Sequence, residues 1–176
     1  MTMCTIYYKM LVVNDAMVLI HLAKITLLEI SCNFFKEVMI PPLVYEETVK
    51  EGKKTGHADA ILIEEIINRG KIKVRKVKKK QLIKKANNFN IQRGEAEAIA
   101  LYWQEQAGRI ASDDDNVRNK KELLEINLIG TPTILLALFQ NKKIDMDKLK
   151  DSINELRKIG WFSNAVLDKV LMEAEK

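Results

Sequence analysis

The chain lacks any apolar run near the roughly 18 residues that a membrane-crossing helix needs, so no membrane partner is expected. Met1–Met10 shows no secretory pattern, so no leader is expected there. Lys9 is the lone charge before Met10 and no long apolar core follows it. Cysteine is scarce: Cys4 and Cys32 stand far apart and make neither a metal-binding pair nor a disulfide framework. A reducing, cytoplasmic setting is the expectation. Histidine is equally scarce, and none accompanies His21 at metal-ligand spacing, so His21 reads as a helix residue that has found a partner. No serine or cysteine is matched to a histidine in a way that suggests covalent catalysis. Repeats, low-complexity tracts and shifts of composition are also missing. The reading is one domain over residues 1–176, with residues 145–176 as a C-terminal helical extension.

What is present suits a globular α/β protein. The 176 residues are 47% hydrophobic and 30% charged, enough for one sizeable core. A net charge of +5 tilts toward an anionic partner. Met10-Leu11-Val12-Val13-Asn14-Asp15 is an apolar run closed by a polar pair and reads as a buried strand, with residues 18–24 helical after it. Further strands are predicted at 37–40, 71–80, 108–112 and 125–129. Helices are predicted at 26–35, 43–49, 58–68, 81–89, 93–104, 117–124, 133–140, 147–157 and from Ser163 to about Glu173, with a loop at 52–56. Five strands alternating with helices imply a parallel sheet covered on both faces.

Acids recur where strands hand over to helices. Ile110-Ala111-Ser112 runs into Asp113-Asp114-Asp115, and Asp15 follows Asn14 at the end of the first strand. Each of these acids also has an ordinary reading as a helix cap. On the helix after Pro41-Pro42, Glu46 and Glu47 lie about 100° apart, so at most one faces inward. Glu47 shares a face with Val44 and is favoured for a site, whereas Glu46 leans toward Lys50. Glu95 and Glu97 are about 200° apart on the helix opened by Arg93-Gly94, and either also complements the helix dipole.

Carboxylates converging on one sheet edge stay ionised only with a counter-cation. Oxygen ligands favour Mg²⁺ or Mn²⁺, which keep bound waters and suit phosphodiester hydrolysis. The run Lys71 to Lys80 places cations beside Ile72 and Val74. It fits either a lysine-protected edge strand or a weak RNA-backbone contact through Lys78, Lys79 and Lys80. No aromatics are interleaved there to stack bases. A phosphoacceptor receiver also gathers aspartates at strand ends, but it needs a lysine after its last strand, where Gly130-Thr131-Pro132 stands.

Five segments together resemble a PIN domain: Asn14-Asp15-Ala16, Pro42-Leu43-Val44-Tyr45-Glu46-Glu47, Gly94-Glu95-Ala96-Glu97-Ala98-Ile99-Ala100-Leu101, Ser112-Asp113-Asp114 and Gly130-Thr131. The VapC-like prokaryotic branch is most similar, with Gly160-Trp161-Phe162 matching its Gly-aromatic tail. The resemblance runs from about Val12 to the C-terminus. It implies a three-layer α/β sandwich of strand order 3-2-1-4-5 and a metal-dependent ribonuclease acting on RNA. It also implies that the ribonuclease is the toxin of a toxin–antitoxin pair, inhibited by a small antitoxin protein, and often a homodimer. By position, the resemblance assigns Asp15, Glu47 and Glu95 as the first three acids. The fourth is Asp114 if Ser112 fills the Ser/Thr position two residues before it, with Asp113 the other choice. The implied metal ligands are Asp15, Glu95, Asp113 and Asp114, supported by Asn14, Ser112 and Glu97. Met17 departs from the pattern, standing where most members carry a small polar residue near the metal. That departure motivates an alternative, a PIN-like RNA- or protein-binding module with weakened catalysis.

Overall fold

The computed structural model describes residues 10–91 and 93–176. Cys4 and Lys9 lie outside the described residues. The chain runs β1 (Leu11–Asn14), α1 (Ala16–Lys24), α2 (Leu28–Phe34), β2 (Glu37–Ile40) and α3 (Pro42–Tyr45). The helix begun by α3 continues through a π-helical segment, Glu46–Glu51, into α4 (Gly52–Lys54). There follow α5 (Ala58–Asn68), β3 (Ile72–Val74), α6 (Lys80–Asn87), α7 (Arg93–Glu105), β4 (Arg109–Ala111) and α8 (Asp115–Asn119). The chain closes with β5 (Leu128–Ile129), α9 (Thr131–Gln140), α10 (Met146–Ile159) and α11 (Asn164–Ala174).

The strands form one five-stranded sheet, order β3-β2-β1-β4-β5, with every pair parallel. Alternation along the strands explains the layers. Val12, Val38, Ile40, Ile72, Ala111 and Ile129 point to one core, shared with α1, α2, α5 and α9. Leu149, Ile153 and Leu156 of α10 and Leu167 and Val170 of α11 bury in the same core. Val13, Met39 and Ile110 point to the other face, where Ala86 of α6, Ile99 and Leu101 of α7 and Val117 of α8 cover them. The result is the three-layer α/β sandwich, in the strand order expected of a PIN-like fold. Among the described residues, no single helix is long and apolar enough to cross a membrane.

Four elements differ from the sequence reading. Residues 52–54 are helical rather than looped, because Gly52 is there for closeness: a Cβ on it would fall 2.7 Å from the Ala60 Cβ. The strand expected at 125–129 shrinks to Leu128–Ile129, since Glu125 takes a left-handed φ of 52° that no strand accommodates. The helix expected at 117–124 is instead Asp115–Asn119, started early by an Asp114 cap. The stretch 71–80 pairs only over Ile72–Val74, and β3 is an edge strand.

This strand order places a topological switch between β1 and β4. The connections diverge there and leave a crevice at the carboxyl ends of the strands, where α/β sheets bind ligands. Asp15 follows β1, Ser112 follows β4 and Gly130 follows β5 at that edge.

Candidate active site

Asp15 and Asp114 are built alike. Each is the N-cap of the helix that follows its strand. Asp15 Oδ1 accepts the Val18 N–H at 3.0 Å, and Asp114 Oδ1 accepts the Val117 N–H at 2.8 Å. Capping needs only one carboxylate oxygen. Asp15 is 2% exposed, and its Oδ2 is buried without a hydrogen-bond partner. Burial pushes the Asp15 carboxyl up to about 8. The negative fields of Asp113 and Glu95 add to that rise, while the Ser112 hydroxyl and the Val18 N–H oppose it. Beside it, Asn14 Oδ1 is likewise buried and without a partner. Ser112, buried, accepts the Asp114 N–H on its Oγ at 3.2 Å and so holds the turn that presents Asp114.

Glu95 lies in the first turn of α7 and is half-buried. With Asp114, Asn90, Ile91, Arg93 and Asn116 it lines a hollow of about 210 Å³. Glu47 reaches the same neighbourhood from the π-helical segment. A Cβ on Gly94 would lie 2.4 Å from Glu47 Oε2, so glycine before Glu95 is what lets the second carboxylate approach. Burial first, and then the Glu95 charge, raise the Glu47 carboxyl above its usual range, against the pull of Arg93 and the Gly94 N–H. Glu46 turns outward and pairs with Lys50 at 3.0 Å, as its helical position indicated.

Two further acids serve neighbouring structure. Glu97 accepts the Leu43 N–H at 3.2 Å, tying α7 to the start of the helix that carries Glu47. Asp113 is 0% exposed with both oxygens engaged. Oδ1 accepts the Thr131 N–H at 2.7 Å, and Oδ2 meets His21 Nδ1 at 2.7 Å and the Thr131 hydroxyl. Of the adjacent pair Asp113 and Asp114, the structure therefore brings Asp114 to the hollow and directs Asp113 into the interior. The carbonyl of Asp113 accepts the Trp161 indole N–H at 3.0 Å, and Phe162 packs edge-on against the His21 ring. This cluster escaped the sequence reading, although Gly130-Thr131 and Gly160-Trp161-Phe162 were its visible signals. Lys78, Lys79 and Lys80 are exposed, and the Lys78 and Lys79 N–H groups bind Gln104 Oε1.

Among the described residues, no three Asp, Glu, His or Cys side chains form a ready-made metal cage. Mg²⁺ does not require one: it is commonly held by one or two carboxylates and keeps its waters. The orphaned Asp15 oxygen and the Asp15 and Glu47 carboxyls, each raised by burial and by the charge of Glu95, fit a hard cation with that sparse ligation.

A parallel sheet with acids gathered at its switch point is the frame of a nuclease-type fold. A family model described as a PIN domain matches residues 11–176, and the chain belongs to the PIN-domain family. PIN domains are generally nucleases, which makes the fold one of hydrolase type. No curated protein and no solved structure matches the chain.

Proposed function

We propose that the protein is a Mg²⁺- or Mn²⁺-dependent endoribonuclease that hydrolyses RNA phosphodiester bonds. The observation that carries this reading is the buried, unpartnered Oδ2 of Asp15, at the sheet edge within the field of Glu95, which lines the acidic hollow together with Asp114. Asp15, with Glu95 or Asp114, would hold the ion. When bound, such an ion supplies a water of lowered pKa and offsets charge on the scissile phosphate and leaving oxygen. Glu47, raised above the usual carboxylate range, is suited to hold or release a proton at its carboxyl beside Glu95. Ser112 orients the Asp114 turn, and Glu97 orients the helix bearing Glu47. Asn14 brings a second unpartnered oxygen to the same edge. Asp113 holds the floor of the site rather than the ion.

On the resemblance of its motifs to the VapC-like branch, its biological role is that of the toxin of a toxin–antitoxin pair, acting as a homodimer. A small antitoxin would cover the acidic hollow with a basic side chain. Met17 favours the second reading, a binding module with weakened catalysis. It is half-buried two residues after Asp15, on α1, and brings no polar atom there.

Cleavage of single-stranded RNA by purified protein separates the two. The first reading expects cleavage with Mn²⁺ that stops in excess chelator and in Asp15→Asn. Cleavage that survives both changes, or RNA binding without cleavage under any divalent ion, contradicts it.

A further inference from the structure

A second cavity, of about 430 Å³, borders α8, as the acidic hollow does. The two cavities share the same short helix as a wall. Asp114 and Asn116 face the hollow, while Asp115 and Arg118 face the second cavity. We infer that this second cavity is a base-stacking subsite for a nucleotide flanking the scissile phosphate, with Trp161 as its platform. This rests on the ribonuclease reading above.

Trp161 is 50% exposed, an unusual position for so large an apolar ring, yet it is held firmly. Gly160 ends α10 with a left-handed φ of 76°, and Ser163 caps α11 directly afterwards, so the ring stands on a tight corner between two helices. Its indole N–H donates to the Asp113 carbonyl at 3.0 Å, and its ring packs against buried His21 with centroids 5.9 Å apart. The tryptophan is thus fixed to the residue next to Asp114. An aromatic ring already immobilised loses little freedom when a base stacks on it.

The rest of the cavity suits a base better than a phosphate. Its charged wall is the Arg118–Asp115 ion pair, whose charges offset each other and leave donors and an acceptor for base edges. Phe162 and Pro132 add apolar lining. The volume lies within the range of small-ligand sites, about 300–1,000 Å³.

The test is the affinity of a short single-stranded oligo(A) RNA and of an abasic oligomer with the same number of phosphates. Both are measured with Ca²⁺ present, on the full chain, Trp161→Leu and Trp161→Phe, with Mn²⁺-dependent cleavage followed in parallel. Trp161→Leu is expected to weaken oligo(A) binding by at least about fivefold. Trp161→Phe should keep most of the affinity, and abasic binding should be the same in all three. Oligo(A) affinity unchanged in Trp161→Leu, with cleavage intact, overturns the subsite alone. Equal losses in Leu and Phe, or equal losses for the abasic probe, overturn it by assigning Trp161 to its hydrogen bond with Asp113. A full chain that neither binds oligo(A) nor cleaves RNA overturns the subsite together with the reading beneath it.

Discussion

At the scale of single residues, the site is a set of carboxylates placed against their own solvation. The ordinary value for Asp15 is 3.8 and its folded-state value about 8. Between the two, the native protein holds a proton that the unfolded chain has released. Stability without divalent ions therefore falls as pH rises through that window, and the loss is complete above about 8. Asn at position 15 keeps an oxygen for the Val18 N–H and carries no charge. In chelator, Asp15→Asn should be more stable than wild type, by a margin that grows from about pH 4 to about pH 8. The margin should reach a few kcal/mol at the upper end, at about 1.4 kcal/mol per unit. Thermal melts across pH measure it; a margin that is flat or shrinking as pH rises refutes the buried-acid account. Added Mn²⁺ should raise the melting temperature of wild type and leave that of Asp15→Asn nearly unmoved.

Asp113 carries the opposite expectation. Its buried oxygens are matched by His21 and Thr131, so His21→Leu leaves one of them short of a partner. A loss of about 2–4 kcal/mol in unfolding free energy is expected. Denaturant titration showing less than about 0.5 kcal/mol would mean that the pair is not holding the interior in this way.

At the scale of elements, the π-helical segment and the first turn of α7 act together. A π-helical turn is rare and tends to occur at functional sites. Here it carries Glu47 toward Glu95, and Gly94 leaves room for the carboxylate. Alanine at position 94 should favour the helix by up to about 1 kcal/mol, yet its Cβ would stand 2.4 Å from Glu47 Oε2. Gly94→Ala is therefore expected to fold with near-native stability while losing most RNA cleavage. Full activity would detach Glu47 from the chemistry.

The helix–strand alternation was legible because buried parallel strands leave short Val- and Ile-rich runs. The outward face of Glu46 was legible because helical spacing sends it to Lys50. The π-helical segment was not, since Val49 is the lone aliphatic residue in Glu46–Glu51 and a change of period has nothing to show itself on. Gly52 misled because glycine in a tight helix contact looks, in sequence, like glycine in a turn. The shortened β5 follows from a left-handed Glu125, a conformation that no residue type in that stretch announces.

At the scale of the whole molecule, the acids are concentrated at one edge of a chain whose net charge is +5. Lys78, Lys79 and Lys80 are exposed just past β3, at the carboxyl side of the same sheet. The edge position of β3 and the Lys73–Glu37 pair at 2.9 Å support the protective role of that strand's lysines. Changing Lys78, Lys79 and Lys80 together to Glu should lower RNA affinity and flatten its salt dependence. Unchanged affinity would leave these lysines to edge protection alone. In the sequence, Asp15 and Asp114 stand out at strand ends, Glu95 in the opening turn of a helix and Glu47 on the helix face of Val44. Which of Asp113 and Asp114 faces the hollow was not legible, because that choice is made by His21 and Thr131, residues 92 and 18 positions away in the chain.

The most direct test is a crystal of the protein soaked in Mn²⁺, with anomalous scattering used to locate the ion. The expected result is a peak within bonding distance of Asp15 Oδ2, sharing waters or a direct bond with Glu95 or Asp114. A peak absent from that edge at saturating Mn²⁺, or bound only elsewhere, would contradict the claim that these acids form a metal site.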